Sequence, residues 1–219
     1  MAGRRDNLGV SLVELMISLV AGLIVVGSVL TFTVATVRSN AETLSATRLT
    51  QDLRVVINLV TREIRRAGYD RMAELSIGTS SPALRYTDIT LNAARDCIVI
   101  GYNRPALNAA TAPPVSGELK GFRRVVRNGR GIIQSNSTST PPNCGSDTGW
   151  VDLTNPNQID ITSLQFTYNQ IPLTGLPTGV AATVRNVEIQ LAAALSNDPA
   201  IRRELTTRVR VRADDVVFP

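Results

Sequence analysis

The chain contains 219 residues and carries a formal net charge of +5, with Lys120 as its only lysine. This length accommodates one anchored domain with a core of its own, or at most two small domains. Aromatic residues make up only 4% of the sequence, so an aliphatic core is expected. Histidine is absent, which excludes Ser/His/Asp catalysis and removes the commonest general base and metal ligand. No pair of carboxylates stands out as an acid–base couple either, and we predict no enzymatic activity and no cofactor or metal site.

The positive charge of the chain is almost entirely arginine. A basic excess of this kind is found in proteins that contact nucleic acid or anionic membranes. It is also what a GC-rich coding sequence produces, and we favour this simpler origin for the composition as a whole.

The N-terminal segment is a short polar leader followed by a long apolar run. The leader, residues 1–9, carries Arg4 and Arg5, and no charged residue occurs over residues 15–37. At about 1.5 Å per residue this run extends about 35 Å as a helix, enough to cross a hydrocarbon core of about 30 Å. The arginines that precede it should keep the N-terminus in the cytoplasm and place everything after Arg38 outside.

The apolar run is also compatible in part with a signal peptide, a plain anchor or a core helix. A secretory signal peptide has a shorter apolar stretch, of about 7–15 residues, before a small-residue cleavage site. An ordinary single-span anchor fits the length but does not account for Glu14, the only charged residue between Leu8 and Arg38. A buried core helix would seldom stay uncharged over such a length. Ionisable groups at membrane depth are costly and are usually functional.

The sequence around Glu14 resembles a known processing signal. The residues Gly9-Val10-Ser11-Leu12-Val13-Glu14-Leu15 closely resemble the cleavage site of the type IV prepilin family. In that family a membrane peptidase cuts after the glycine, the new N-terminal residue is methylated on its amine, and a glutamate close to the new N-terminus serves assembly. The resemblance implies cleavage after Gly9, methylation of Val10 and an assembly role for Glu14. The first mature residue is most often Phe in the family, and here it is Val.

A role for Glu14 also follows from physical chemistry. Before assembly the carboxylate would lie near the cytoplasmic interface, about 6 Å along the helix axis from Val10, where a charge costs little. When subunits stack through their apolar helices, the carboxylate becomes buried and requires a cation, which the α-amine of a neighbouring subunit can supply. Removing one partner of a buried ion pair costs about 3–5 kcal/mol. Such a pair would fix the register between subunits.

Beyond Arg38 the apolar run gives way to an amphipathic pattern. Apolar residues recur at three- and four-residue steps, as on one face of a helix: Leu49, Leu53, Val56, Ile57, Val60, Ile64 and Ala67. Polar residues, among them Arg62 and Glu63, fill the remaining positions. With Gly68 as the predicted C-cap, one helix of about 90 Å over residues 10–68 follows. A second, separate helix after a break at residues 38–45 is the alternative.

From residue 69 onward the pattern has the period of two that is typical of strands. The candidate strands are residues 83–91, 97–102, 121–126, 131–134, 159–168, 184–195 and 204–212. Asn128-Gly129 predicts a hairpin turn, and stretches rich in Pro, Gly, Ser and Thr predict exposed loops at residues 104–117, 135–149 and 171–183. Because no alternation of helices and strands occurs, we predict an α+β fold in which an antiparallel sheet packs on the long helix.

The two cysteines, Cys97 and Cys144, both belong to this C-terminal part. Two cysteines in an exported chain suggest one disulfide. A catalytic thiol would require a histidine partner, and the chain has none. In the chain-entropy model a bridge that closes a loop of this length stabilises the fold by about 4 kcal/mol. The bridge would tie the 135–149 loop to the strand that begins at Cys97.

The C-terminal part is similar to the PilW-type minor pilins. The similarity rests on the bridge between an early strand and a mid-chain loop, on the strand endings and on two segments: Arg62-Glu63-Ile64-Arg65-Arg66-Ala67-Gly68-Tyr69 and Trp150-Val151-Asp152-Leu153. It implies a pilin-like fold. It also implies a subunit at or near the filament tip that primes assembly with other minor pilins and sometimes helps to present an adhesin.

Several weaker signals remain. A row of arginines on the last strand could contact DNA phosphates, but such rows are more often solvated or guard an exposed strand edge: Arg208, Arg210 and Arg212. Asp214 and Asp215 are a weak calcium signal, because adjacent strand residues point to opposite faces. Asn136-Ser137-Thr138 matches a glycosylation acceptor, a motif that is common by chance.

These patterns divide the chain into four segments: the leader 1–9, the transmembrane and assembly half of the helix 10–37, its amphipathic half 38–68, and the antiparallel β domain 69–219. The favoured function is a minor pilin of a type IV pilus, held in the inner membrane by one span before assembly and carried on the cell surface afterwards. Expected partners are a prepilin peptidase, other minor and major pilins bound through the N-terminal helix, and a tip adhesin; nucleic acid is a weaker prediction. A type II secretion pseudopilin, which shares the N-terminal signal, stays open, as does a non-polymerising membrane protein that binds a ligand.

Overall fold

The fold is described from a computed structural model over residues 11–70, 86, 89–103 and 116–217, with the last three residues of that span as backbone only. The predicted processing residues Gly9 and Val10 lie outside the described residues. The chain separates into two compact units, Met1–Ser45 and Ala46–Pro219. Each unit is described on its own.

The long helix predicted from the sequence is present as α1, which runs without interruption over Leu12–Arg66. Ser11 precedes it, and its main-chain carbonyl accepts a hydrogen bond from the Leu15 amide at 3.1 Å. Two arginines lie in the last turn, where the helix dipole favours positive charge. Gly68 follows with a φ of 76°. Glycine adopts this left-handed conformation at helix ends, so the predicted C-cap is confirmed. Because α1 is continuous through residues 38–45, the alternative of two separate helices is wrong.

The first unit contains the apolar half of α1. By length and composition this helix includes a stretch that could cross a membrane, and none of that stretch is buried within the described structure. Its hydroxyl side chains donate hydrogen bonds to carbonyls one turn earlier, as Ser18 does to Glu14 at 2.8 Å and Ser28 to Ile24 at 2.8 Å. These bonds satisfy polar groups within the helix, which an apolar environment requires.

In the second unit the amphipathic half of α1 packs one face on β-sheets. The predicted apolar face is buried: Leu49, Leu53, Val56, Ile57, Val60, Ile64 and Ala67. These residues share one core with both sheets, and the core is aliphatic apart from Phe122 and Phe166. Glu63, which the pattern assigned to the polar face, is instead 4% exposed. The predicted α+β class, with a long helix on antiparallel strands, is confirmed.

The strands form two sheets, where the sequence had indicated one antiparallel sheet. The first sheet has the order β1-β2-β3-β4-β5; the second has the order β6-β7-β8, with β9 also paired to β7. All of these pairs are antiparallel. The strands are β1 Thr90–Leu91, β2 Cys97–Gly101, β3 Leu119–Arg127, β4 Arg130–Thr138, β5 Val151–Asp152, β6 Ile159–Pro172, β7 Ala181–Leu195, β8 Arg202–Arg210 and β9 Asp215–Val217.

The two sheets come into close contact where β4 meets β6. The β6–β7 register shifts between Ile161 and Ser163, which breaks the regular ladder at that point. At this point the carbonyl of Ile161 accepts a hydrogen bond from Nε of Arg124, a residue of β3, at 2.7 Å. A Cβ atom on Gly131 would lie 1.9 Å from the same carbonyl oxygen. Only glycine permits this close contact between the sheets.

Four of the predicted strands are longer in the structure, and two short strands, β5 and β9, were not predicted. In contrast, β2 ends at Gly101, and β8 runs over Arg202–Arg210 instead of residues 204–212, so Arg212 follows the strand and does not belong to it as predicted. The predicted hairpin is confirmed: Asn128 and Gly129 have φ angles of 52° and 75°, the two positive values that a type I′ turn requires. Of the first predicted strand, residues 83–91, the structure describes strand only at Thr90–Leu91. Residues 81–85, 87–88 and 104–115 lie outside the described part of the chain.

Candidate assembly helix and the domain that carries it

Glu14 lies in the first turn of α1 and is exposed. With Ser11 immediately before the helix, the spacing of the two residues is that of a capping box, in which an acidic side chain three residues after the cap serves the helix N-terminus. A carboxylate at this position is also favoured by the helix dipole. Glu14 therefore has a local role available besides the intermolecular one, a signal that our sequence reasoning missed.

The side chains around Glu14 form an apolar surface on all sides of the helix. From Leu12 to Val37 the large apolar side chains are between 52% and 75% exposed. A continuous apolar surface of this extent requires a lipid environment or other apolar helices against it. Among residues 11–37, Glu14 is the only charged one.

The C-terminal part of α1 is fixed to the first sheet by a buried charge cluster around Glu63. The Tyr102 hydroxyl donates a hydrogen bond to its carboxylate at 2.6 Å. The Nζ atom of Lys120 lies 3.1 Å from the same carboxylate oxygen. Burial raises the pKa of Glu63, but the hydrogen bond from Tyr102 and the interaction with Lys120 together outweigh it and hold the pKa below its ordinary value. The only lysine of the chain is thus the counter-ion of a buried acid.

Two contacts complete this cluster from the helix side. The guanidinium of Arg66 stacks over the ring of Tyr102, 4.5 Å from its centroid. Arg62 also approaches Glu63, at 3.6 Å, but its side chain is 67% exposed. Removing one partner of a buried ion pair leaves an uncompensated charge and is strongly destabilising. The cluster therefore joins α1 to Lys120 of β3 and to Tyr102, which follows β2.

The end of α1 is bonded to both sheets. The Gly68 amide donates to the carbonyl of Gly101, the last residue of β2, at 2.8 Å. The Arg212 amide, which follows β8, donates to the carbonyl of Arg65 at 3.1 Å. Arg185 of β7 is 1% exposed and lies against Gly68, where a Cβ atom would clash with its guanidinium. The helix terminus is therefore an integral part of the domain core.

Cys97 and Cys144 are joined by a disulfide, with their Cα atoms 6.1 Å apart. Cys97 begins a transverse row of side chains on the face of the first sheet that points away from α1. The register pairs Cys97 with Arg123, Arg123 with Gln134, and Gln134 with Asp152. Directly paired residues of antiparallel strands place their side chains on the same face.

Hydrogen bonds run along this row. Nε of Arg123 donates to Oε1 of Gln134 at 2.9 Å, and Nε2 of Gln134 donates to Asp152 at 2.7 Å. The bond from Gln134 is the main reason why the pKa of Asp152 is lowered, and Arg127 adds to it. Arg123 is 4% exposed although it belongs to an arginine-rich strand. Sequence reasoning gave it no role, because its partners lie on other strands and on a distant loop.

The loop that contains Cys144 covers this face of the sheet and is bonded to Arg123. Nη1 of Arg123 donates to the carbonyls of Cys144 and Ser146, both at 2.8 Å. Nη2 donates to Asp147 at 2.7 Å, and the guanidinium stacks on Trp150, 4.3 Å from the ring centroid. Asn136, 5% exposed, donates to the carbonyl of Thr148 at 3.1 Å. Its amide is therefore occupied and inaccessible, which argues against Asn136 as a glycosylation acceptor.

The arginines of the last long strand lie on the exposed edge of the second sheet. Arg208 pairs with Glu188 and Arg210 with Asp214, both at 2.8 Å, and the two arginine side chains are 68% and 61% exposed. The hydrogen bond from Arg208 is the main cause of the lowered pKa of Glu188. This arrangement agrees with a solvated edge that discourages further strand pairing. Over the described residues no group of three or more His, Cys, Asp and Glu side chains could hold a metal ion.

Comparison with known proteins adds the family. The model of the family described as prepilin peptidase-dependent protein B matches residues 42–211, which begin within α1 after the apolar run. A type IV-like pilin from Thermus thermophilus is a structural neighbour, with 12% sequence identity, a TM-score of 0.40, and coverage of 75% of this chain and 97% of that one. No curated protein sequence matches the chain. Since the family model covers most of the sequence, including the end of α1 and the strands β1 to β8, the chain belongs to the prepilin peptidase-dependent protein B family.

Proposed function

We propose that the chain is the precursor of a minor pilin of the PilW type, a structural subunit of a type IV pilus. A prepilin peptidase cuts after Gly9, the amine of Val10 is methylated, and α1 carries the subunit from the inner membrane into the filament. There the subunit joins other minor and major pilins near the tip, primes assembly, and helps to present an adhesin.

The observation that carries this proposal is the exposed apolar half of α1 with Glu14 in its first turn. A plain membrane anchor requires the apolar side chains, and in it the acid would serve only the N-terminus of the helix. In a stack of such helices a buried carboxylate needs a cation, and the N-terminal amine exposed by cleavage is the nearest one that a neighbouring copy offers. The description of the family, which refers to dependence on prepilin peptidase, supports the processing step.

The test compares Glu14→Ala with a matched control, Glu42→Ala. Both acids are exposed on α1, but Glu42 lies beyond the apolar run. We expect Glu14→Ala to insert, to be cleaved and to fold, and to be depleted from filaments sheared off the cells. Burial of an unpartnered amine should cost about 3–5 kcal/mol, which corresponds to a loss of about a hundredfold or more in incorporation. Glu42→Ala should be incorporated like the wild type.

The readouts separate the competing functions. N-terminal mass analysis of the native protein should show a chain that begins at a methylated Val10; a chain that begins at Met1 in cells with normal filaments contradicts the proposal. Equal incorporation of Glu14→Ala and the wild type contradicts the assembly role alone. Loss of protein secretion without any surface filament containing the subunit would identify a secretion pseudopilin instead.

A further inference from the structure

The loop that covers the outer face of the first sheet is held by more than its disulfide. In this covering loop, residues 142–150, three carbonyl groups accept hydrogen bonds from side chains of the sheet: those of Cys144, Ser146 and Thr148. Arg123 supplies two of the donors and Asn136 a third. A Cβ atom on Gly121 would lie 2.7 Å from the ring of Trp150 and 3.0 Å from Pro142, so the loop packs directly on the sheet.

The position of Arg123 relative to the cysteines is specific. Arg123 is the direct cross-strand partner of Cys97, so both side chains rise from the same face at neighbouring positions. Both reach the same loop residue: the sulfur of Cys97 bonds to the sulfur of Cys144, and the guanidinium binds its carbonyl. The second carbonyl bound by Nη1, that of Ser146, lies on the C-terminal side of Cys144.

We propose that Arg123 is a positioning residue for oxidation: it docks the covering loop before the disulfide exists and presents the thiol of Cys144 to that of Cys97. The buried guanidinium of Arg123 has N–H donors that would be unsatisfied without the carbonyls of the covering loop. These hydrogen bonds are therefore favourable whether or not the two sulfurs are joined. Loop docking therefore precedes the bridge and raises the effective concentration of one thiol near the other.

The chemistry is ordinary thiol–disulfide exchange with a small disulfide such as oxidised glutathione. One thiolate attacks the external disulfide, forms a mixed disulfide and releases one glutathione thiol. The second cysteine, having lost its proton, displaces the second glutathione thiol and closes the Cys97–Cys144 bond. Two protons and two electrons leave the protein, and the external disulfide is reduced. Arg123 takes no part in bond formation. By holding the covering loop on the sheet, it raises the effective concentration of the second cysteine near the mixed disulfide.

The first experiment measures the equilibrium between reduced and oxidised full-length protein in glutathione buffers. Arg123→Met should lower the effective concentration of the thiol pair about tenfold or more, since hydrogen bonds to a charged group are each worth about that much or more. Arg123→Lys keeps the charge but not the forked donors, so its effective concentration should lie between those of the wild type and Arg123→Met. The control is Arg127→Met, on the same strand, whose side chain is 55% exposed and pairs with Asp152. An effective concentration for Arg123→Met within about twofold of the Arg127→Met value overturns the proposal.

A second measurement needs no substitution at Arg123. Trp150, the only tryptophan of the chain, is the last residue of the covering loop and packs on Arg123 and against Gly121 of the sheet, so its fluorescence reports docking directly. In reduced wild-type protein we expect Trp150 to be quenched by acrylamide as slowly as in the oxidised protein. If reduction alone makes Trp150 as accessible as it is in urea, the disulfide holds the loop and Arg123 does not.

Discussion

The buried cluster around Glu63 allows a quantitative prediction. Lys120→Met removes the counter-ion and leaves the carboxylate, whose side chain is 5% exposed, with the Tyr102 hydroxyl as its main remaining donor. Removing one partner of a buried ion pair costs about 3–5 kcal/mol. Because the Lys120 side chain is itself 21% exposed, the pair is not fully dry. We therefore expect a loss of about 3 kcal/mol in the free energy of unfolding at neutral pH, at the low end of that range.

The same substitution has a predictable dependence on pH. The pKa of Glu63 in the folded wild type lies below its ordinary value of 4.5, so its stabilising contribution is complete above that pH and is lost as the pH falls through the lower folded value. In Lys120→Met burial still raises the pKa of Glu63, but one of the interactions that lower it is gone. The variant therefore loses less stability on acidification, and its deficit relative to the wild type should shrink below pH 4.5.

The assay is urea unfolding of the full chain in detergent micelles, followed by the fluorescence of Trp150, at neutral and acidic pH. Arg62→Met is the matched control. It removes a cation that lies 3.6 Å from the same carboxylate, but the Arg62 side chain is 67% exposed. An exposed partner of this kind contributes less than about 1 kcal/mol to the free energy of unfolding. Equal losses for Lys120→Met and Arg62→Met, or a deficit that does not change with pH, would refute the assignment of a buried, ionised pair.

Three further predictions concern the sheets and the bridge. Gly131→Ala should cost about 3 kcal/mol or more, because its Cβ would overlap a β6 carbonyl, whereas Gly145→Ala, with its nearest atom at 3.5 Å, should be nearly neutral in the same unfolding assay. Cys97 and Cys144 should resist thiol reagents until reduced, and their joint replacement by Ala and Ser should cost about 4 kcal/mol; free thiols in the non-reduced protein would contradict this. Arg208→Ala should change stability by less than about 1 kcal/mol, because its ion pair is exposed; a larger loss by urea unfolding would show that the edge is not merely solvated.

The sequence was sufficient for those parts of the fold that depend on local periodicity. The buried face of α1 from Leu49 to Ala67 repeats at helical steps, and its end at Gly68 follows from the freedom of glycine to adopt a positive φ. The hairpin at Asn128-Gly129 is equally local. With two cysteines only one intramolecular pairing exists, so no long-range information was needed to name the bridge.

Long-range pairing could not be read in the same way. Glu63 has the residue type of a solvent-facing position, and its burial is explained only by Tyr102 and Lys120, which lie 39 and more positions along the chain. In the sequence nothing distinguishes Arg123 from the arginines near it on the same strand. Its burial is explained only by the covering loop, whose Cys144 lies 21 residues further along the chain. The close contact between Gly131 and the backbone of β6 joins residues that are far apart in the chain, so the period of neither strand predicts it.

The attachment of the helix end to both sheets has a mechanical consequence. In the filament role proposed above, a pull along α1 that reaches the end of the helix acts on two backbone hydrogen bonds there, from Gly68 to β2 and from the segment after β8 to Arg65. Because one bond leads to each sheet, such a pull is applied to both sheets at the same point, and the junction at the helix end is where we expect mechanical load to enter the domain.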